Sequence, residues 1–190
     1  MPFAYPMVYP HSQFKKPNSA FECATGANLD AESMLKAVKE LSLASGADGM
    51  CEGQMIDIEN EGKKLSFDEL LNLHAHKTGA LIRVAAKLGV IAAGGDENAL
   101  VAADKYGAGV GLAFQILDDV LDKYGSTEEL GKPVGSDLKN EKTTFLSFMS
   151  AKEAKVYAKE VTDTACDAIR DYAGSETLVA LAQTLLERKN

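Results

Sequence analysis

The chain has no tryptophan and only three cysteines, Cys23, Cys51 and Cys166. None stands at CxxC spacing and none joins a histidine at zinc-ligand spacing, so a zinc-finger or disulfide framework is excluded and thiols in a reducing cytosol are expected. Basic charge is in deficit, 20 Lys and Arg against 28 Asp and Glu, for a net charge of −8 and a pI near 4.9. Nonspecific nucleic-acid binding needs a basic face and is disfavoured; phosphates can still be bound if metal ions intervene. No apolar run reaches membrane-spanning length, and the first residues lack a basic region followed by an apolar one, so the cytosol is the expected compartment. Proline nearly disappears after residue 28: Pro2, Pro6, Pro10 and Pro17 precede it, and only Pro133 follows.

What is present favours helix. Hydrophobic residues make up 46% of 190 positions, enough for one domain with a sizeable core, and Ala, Leu, Glu and Lys dominate. Residues 1–28, with their prolines and scattered aromatics, read as an irregular arm. From there the punctuation is helical. Asp30 caps a helix to about Ser45, "SGADG" breaks it, and "GMCEGQMIDI" forms a second helix over roughly Gly49 to Ile58. Ser66 and Glu69 form a capping box. It opens one long helix to about Ala93, with Leu70, Leu73, Leu81, Ile82, Ala85 and Leu88 at spacings of three and four. Asp96 caps a helix over 97–124, about 42 Å long at 1.5 Å per residue. Ser126 and Glu129 form a second capping box, and residues 131–143 are a loop. Ser150 and Glu153 open a helix to about Tyr172, and a last helix runs from Glu176 to near Arg188. No convincing strand alternation and no internal repeat appears, so the fold class is all-α, an antiparallel helical array.

The stretch "FQILDDVLD", Phe114 to Asp122, carries the chemistry. Gln115 is the only polar side chain between Gly107 and Leu117, and a helix apolar nearly all round is buried. Asp118, Asp119 and Asp122 lie three and four residues apart and can project to one side. Two carboxylates about 4 Å apart repel by roughly 1 kcal/mol in water and about 4 at an effective dielectric of 20, and a divalent cation reverses that sign. Mg2+ takes one or two carboxylates together with substrate phosphates, so the cluster reads as a magnesium platform for a phosphorylated ligand. The competing reading is a solvated helix end; the apolar run before the cluster and the lysines around it favour metal. Lys132 and Lys142 bracket the glycine-containing loop, and Lys77 sits within a helix beside Thr78, either on an anion or on the surface. Lys139 reads as surface. Gln54 and Asp57 share a face and form either a cavity wall or a polar seam between helices. His74 and His76, two apart, do not face one another, and a two-histidine metal site is not expected.

Four segments, "GMCEGQMIDI", "LHAHKTGALIRVAAKLG", "GLAFQILDDVLD" and "LGKPVGSDLKNEKTTF", occur in this order and together resemble the C-terminal half of the isoprenoid (polyprenyl) diphosphate synthases, with the nearest likeness to the bacterial-type farnesyl diphosphate synthases or geranyltranstransferases. The resemblance covers about Glu40 to Asn190. It implies the C-terminal part of an all-α bundle around a deep cavity, and a short-chain prenyltransferase reaction in isoprenoid biosynthesis. An allylic diphosphate ionises, the double bond of isopentenyl diphosphate attacks the cation, a proton is lost and pyrophosphate leaves. It implies Mg2+ on Asp118, Asp119 and Asp122, and diphosphate on Lys77, Lys132 and Lys142. Lys77, Thr78 and Gln115 would be catalytic, Gln54 and Asp57 would line the cavity, and the full-length relatives would be homodimers.

The family's first aspartate-rich motif has no counterpart here: Asp30, Asp48, Asp57, Asp68, Asp96 and Asp104 are isolated. "TTF" also replaces the family's common Thr-Tyr. The expectation is an arm over 1–28 unlike the family, a truncated synthase domain over 29–190, unpartnered apolar faces around Ala80, Val84 and Leu112, and no activity from this chain alone. A noncatalytic regulatory or binding subunit of a complete synthase, or a nonfunctional fragment, is the alternative.

Overall fold

The computed structural model describes residues 19–124 and 142–187. Among these residues there is no strand; the chain is helical throughout, as the composition implies. Helix α1, Ser19–Gly26, packs against α2, Ala31–Ser45. The expectation of irregular structure through residue 28 fails over Ser19–Gly26, which is helical; residues 1–18 lie outside the described residues. Asp30 caps α2, accepting from the Ser33 backbone N–H at 2.9 Å. Helix α3, Met50–Glu59, starts after Gly49.

The long helix expected from Ser66 to Ala93 is interrupted. Helix α4, Phe67–His74, opens with the Ser66–Glu69 capping box, and α5 occupies Ala80–Ala92. Between them Ala75–Gly79 form a π turn, which holds one residue more than an α turn. Glycines crowd this turn from two sides. A Cβ on Gly53 of α3 would lie 2.2 Å from the Lys77 backbone nitrogen, and one on Gly111 would lie 3.1 Å from the Gly79 Cα. Only a residue without a side chain at Gly53 lets α3 approach so closely.

Helix α6, Glu97–Tyr124, is the axis of the molecule, packed by α5 and by α7, Ala151–Ile169, with α8, Ser175–Leu186, on α7. This explains its apolar run. Val110, Ala113, Ile116 and Val120 are all buried, and Ile116 is fully so. Phe145 opens a short 3-10 turn, Phe145–Ser147, and is fully buried with Leu70 and Ile116 in the core cluster; each such side chain contributes about 1.5–3 kcal/mol. Phe67 meets its ring edge-on, with centroids 6.0 Å apart. Helix α7 stops at Ile169 rather than near Tyr172, because Gly174, at φ +83°, turns the chain into α8.

The expectation of unpartnered faces around Ala80, Val84 and Leu112 fails. Val84 is buried against α5's neighbours and Leu112 packs on the core. The most exposed large hydrophobic side chains among the described residues are Leu35 at 70% on α2, Ile58 at 64% on α3 and Tyr124 at 64% at the end of the helix over 97–124, while Leu81 beside Ala80 is 36% exposed. The Ser126–Glu129 capping box, the loop over 131–141, Lys132 and Lys139 lie outside the described residues.

Candidate active site

The C-terminal part of α6 sets the first wall. Asp119, 4% exposed, accepts the Phe145 backbone N–H on Oδ2 at 2.8 Å and the Gln115 side-chain amide on Oδ1 at 3.2 Å. Gln115 in turn accepts the Thr78 hydroxyl on Oε1 at 3.2 Å. A buried carboxylate is tolerated when such donors replace water, and bonds to the charged form are the stronger kind. The chain Thr78–Gln115–Asp119–Phe145 thus ties the π turn, α6 and the 3-10 turn together.

The second wall is basic. Lys77, on the π turn, donates to Asp57 Oδ2 at 2.7 Å, and Lys142 donates to both Asp57 oxygens at 3.1 Å. Burial pushes the Asp57 carboxyl up, but the hydrogen bonds and charges of Lys77 and Lys142 together outweigh it and hold the group below its usual range. Both walls face one cavity of about 270 Å3, lined by Asp57, His74, Lys77, Gln115, Asp118, Asp119 and Lys142. A smaller hollow of about 70 Å3 adjoins it, between Asp119, Asp122, Lys142 and Thr144.

His74 was not anticipated. Its ring stacks on Phe145, with centroids 5.5 Å and planes 24° apart, and neither ring nitrogen has a hydrogen-bond partner among the described residues. Burial, then the Lys77 charge, push its pKa down to about 4, with Asp57 opposing and Lys142 adding to the effect. The sequence offered no signal, since a lone histidine acquires this environment only through tertiary packing.

The structure gathers Asp57, Lys77, Gln115, Asp118, Asp119 and Lys142 on one cavity, with Thr78 joined through Gln115. Asp122, 3% exposed, faces the adjoining hollow instead. Gln54 needs correction as a cavity residue: it is exposed on α3 and does not line the cavity. The inward face of α3 is set by Gly53 against the π turn, and Asp57, one helical turn later, follows it inward. Among the described residues no three His, Cys, Asp or Glu side chains form a ready-made metal cage. Asp118 and Asp119 line the cavity, and as one or two carboxylates they would suit Mg2+ only together with phosphate oxygens from a ligand.

A Polyprenyl synthetase family model matches residues 18–179, and the chain belongs to that family. It is 40% identical over 156 residues to farnesyl diphosphate synthase of Escherichia coli (strain K12), covering 80% of this chain and 52% of that protein. It is 35% identical over 174 residues to the heterodimeric geranylgeranyl pyrophosphate synthase large subunit 2 of Arabidopsis thaliana, covering 89% of this chain and 46% of that one. The structure superposes with a TM-score of 0.78 and 32% identity on a geranyltransferase from Helicobacter pylori solved with magnesium and isoprenyl diphosphate, over 88% of this chain and 57% of that one. The chain thus spans about half the length of the relatives it matches. No helix of the described residues is long and apolar enough to cross a membrane.

Proposed function

We propose that this chain carries the allylic-diphosphate side of a Mg2+-dependent prenyltransferase that joins an allylic diphosphate to isopentenyl diphosphate. The observation that carries this reading is the placing of the Lys77–Lys142 pair across one cavity from Asp118 and Asp119. The reaction's barrier is charge separation: the allylic C–O bond breaks, leaving a carbocation and a diphosphate. Groups aimed beforehand at the leaving diphosphate lower that barrier most. Lys77 and Lys142 do this as point charges, with Lys132 joining them by the family resemblance. Asp118, Asp119 and Asp122 would hold Mg2+, which when bound supplies further charge neutralisation on the diphosphate. By the family resemblance Gln115, which lines the cavity, and Thr78, which donates to it, would be the polar groups nearest the developing cation. Leu65 and Leu73 are the aliphatic side chains on the cavity wall.

Since the chain spans about half of its relatives, a partner chain or further segment is expected to supply the acceptor side. The likeness to a relative named as a large subunit of a heterodimeric synthase favours a second reading, in which this chain acts only within an assembly. Calorimetry with Mg2+ and pyrophosphate, separately and together, tests the site: Mg2+ binding is expected only with pyrophosphate present, and to be lost in Asp118→Ala. Equal Mg2+ affinity with and without pyrophosphate would overturn the reading. Radiolabelled isopentenyl diphosphate appearing in an acid-labile prenyl product with this chain alone would show that no partner is needed.

A further inference from the structure

Asp57 holds both cavity lysines at once. Lys77 comes from the π turn and Lys142 from the segment leading into Phe145, twenty and eighty-five residues away along the chain, and both bond to the same Oδ2. The two ammonium nitrogens are therefore held within the sum of 2.7 and 3.1 Å of each other. All three side chains are partly exposed, at 19% for Asp57, 30% for Lys77 and 29% for Lys142, and all line the cavity. An anion entering there meets the lysines and the carboxylate that already occupies them.

We infer that Asp57 is a built-in competitor for the ligand's anionic group, one that sets how tightly Lys77 and Lys142 hold a diphosphate. This rests on the diphosphate reading of the cavity. Two effects of Asp57 oppose each other. It gathers two long side chains, and ordering each would otherwise cost the ligand roughly 2- to 12-fold in affinity. It also repels the ligand. One unit of like charge about 6 Å away weakens binding roughly 3-fold in a water-like medium and roughly 100-fold at an effective dielectric of 20. A diphosphate brings several charges against only two lysines to be ordered, so repulsion wins. Removing the Asp57 charge also leaves the two ammonium groups repelling each other, a strain that an incoming anion relieves. The carboxylate thereby keeps the lysines in place while favouring release of the diphosphate product.

The test is calorimetric titration of the 190-residue chain with inorganic pyrophosphate, without Mg2+ and at low salt. Asp57→Asn is expected to bind pyrophosphate about 10-fold more tightly than the wild type. Asp57→Glu, which keeps the charge, should show no tightening. The gain should vanish when Lys77→Ala and Lys142→Ala are combined with Asp57→Asn. Far-UV circular dichroism checks the fold, and Asp57→Ala and Asp57→Ser carry the same expectation should the Asn variant not fold. Equal or weaker binding by a folded neutral variant, with the wild type binding and the lysine variants impaired, overturns the inference and leaves the diphosphate site standing. No binding by the wild type, with no effect of the lysine substitutions, overturns both.

Discussion

The two walls of the cavity are built by different physics. On the acidic wall Asp119 is nearly inaccessible and is fixed by a backbone N–H and a side-chain amide, themselves rooted in the core through Phe145 and α6. On the basic wall Lys77 and Lys142 are partly exposed and are held by charge on one carboxylate. The first arrangement is a buried network, costly to disturb and unable to adapt. The second is a set of half-solvated ion pairs, each worth little to stability and free to exchange partners. A site that binds and then releases an anion is served by one fixed wall and one that yields.

The sharpest way to break that contrast is to displace the basic wall through its backbone. Gly53→Ala puts a Cβ 2.2 Å from the Lys77 nitrogen, so the π turn or α3 must move. A loss of about 3 kcal/mol in unfolding free energy, the upper end for overpacking, is expected, together with loss of pyrophosphate binding, by denaturant titration and calorimetry. A tolerated Gly53→Ala would show that the basic wall does not depend on this approach.

Acidification comes next, acting where the walls meet. His74 has an ordinary pKa of 6.5 and is pushed down to about 4 in the fold. The unfolded chain therefore binds the proton more readily. Stability from neutral His74 is present above pH 6.5 and is lost as the pH falls toward 4, about 3 kcal/mol in all. The neighbouring charges are Lys77, Lys142 and Asp57. His74→Phe should flatten the dependence of unfolding free energy on pH across that window; an unchanged slope would place its origin elsewhere.

Asp119→Ala should cost about 2 kcal/mol, since it strands the buried Phe145 N–H. Asp119→Asn, which keeps an acceptor, should cost less. Smallest in stability is Lys77→Ala: removing one partner of a part-exposed ion pair is expected to shift unfolding by about 1 kcal/mol or less, yet to weaken pyrophosphate binding at least tenfold. A stability loss from Lys77→Ala as large as that from Asp119→Ala would erase the distinction between the walls.

Much of this was legible in the sequence because it is local. Asp30, the Ser66–Glu69 pair and the Ser150–Glu153 pair mark helix starts through contacts that span three residues, and each is present. The apolar run before Asp118 correctly marked a central helix. What was not legible depends on which face an approaching neighbour selects. The spacing of Gln54 and Asp57 allows both to share a face, but it is Gly53, packed on the π turn, that decides which one is turned inward. The π turn was hidden because apolar residues at spacings of three and four continue on both sides of it. The environment of His74 is made by Phe145, seventy-one positions away, and by an ion-pair cluster drawn from three segments.

The π turn also makes the site a matter of residue count. An α-helix advances about 100° per residue, and a π turn absorbs one residue beyond an α turn. Deleting a single residue between Ala75 and Gly79 would let α4 and α5 merge into one regular helix. The merged helix would keep α4 and α5 at their present relative roll, because the residue removed is the one the π turn absorbs; straightening the turn without a deletion would instead roll α4 by about 100° relative to α5. Leu70, Leu73 and His74 would keep their side of the helix, toward Phe145 and Ile116, and the damage would fall on the turn that presents Lys77 and Thr78. The extra residue thus separates presentation from packing: a one-residue deletion here is expected to spare the α4 and α5 packing while displacing Lys77 and Thr78.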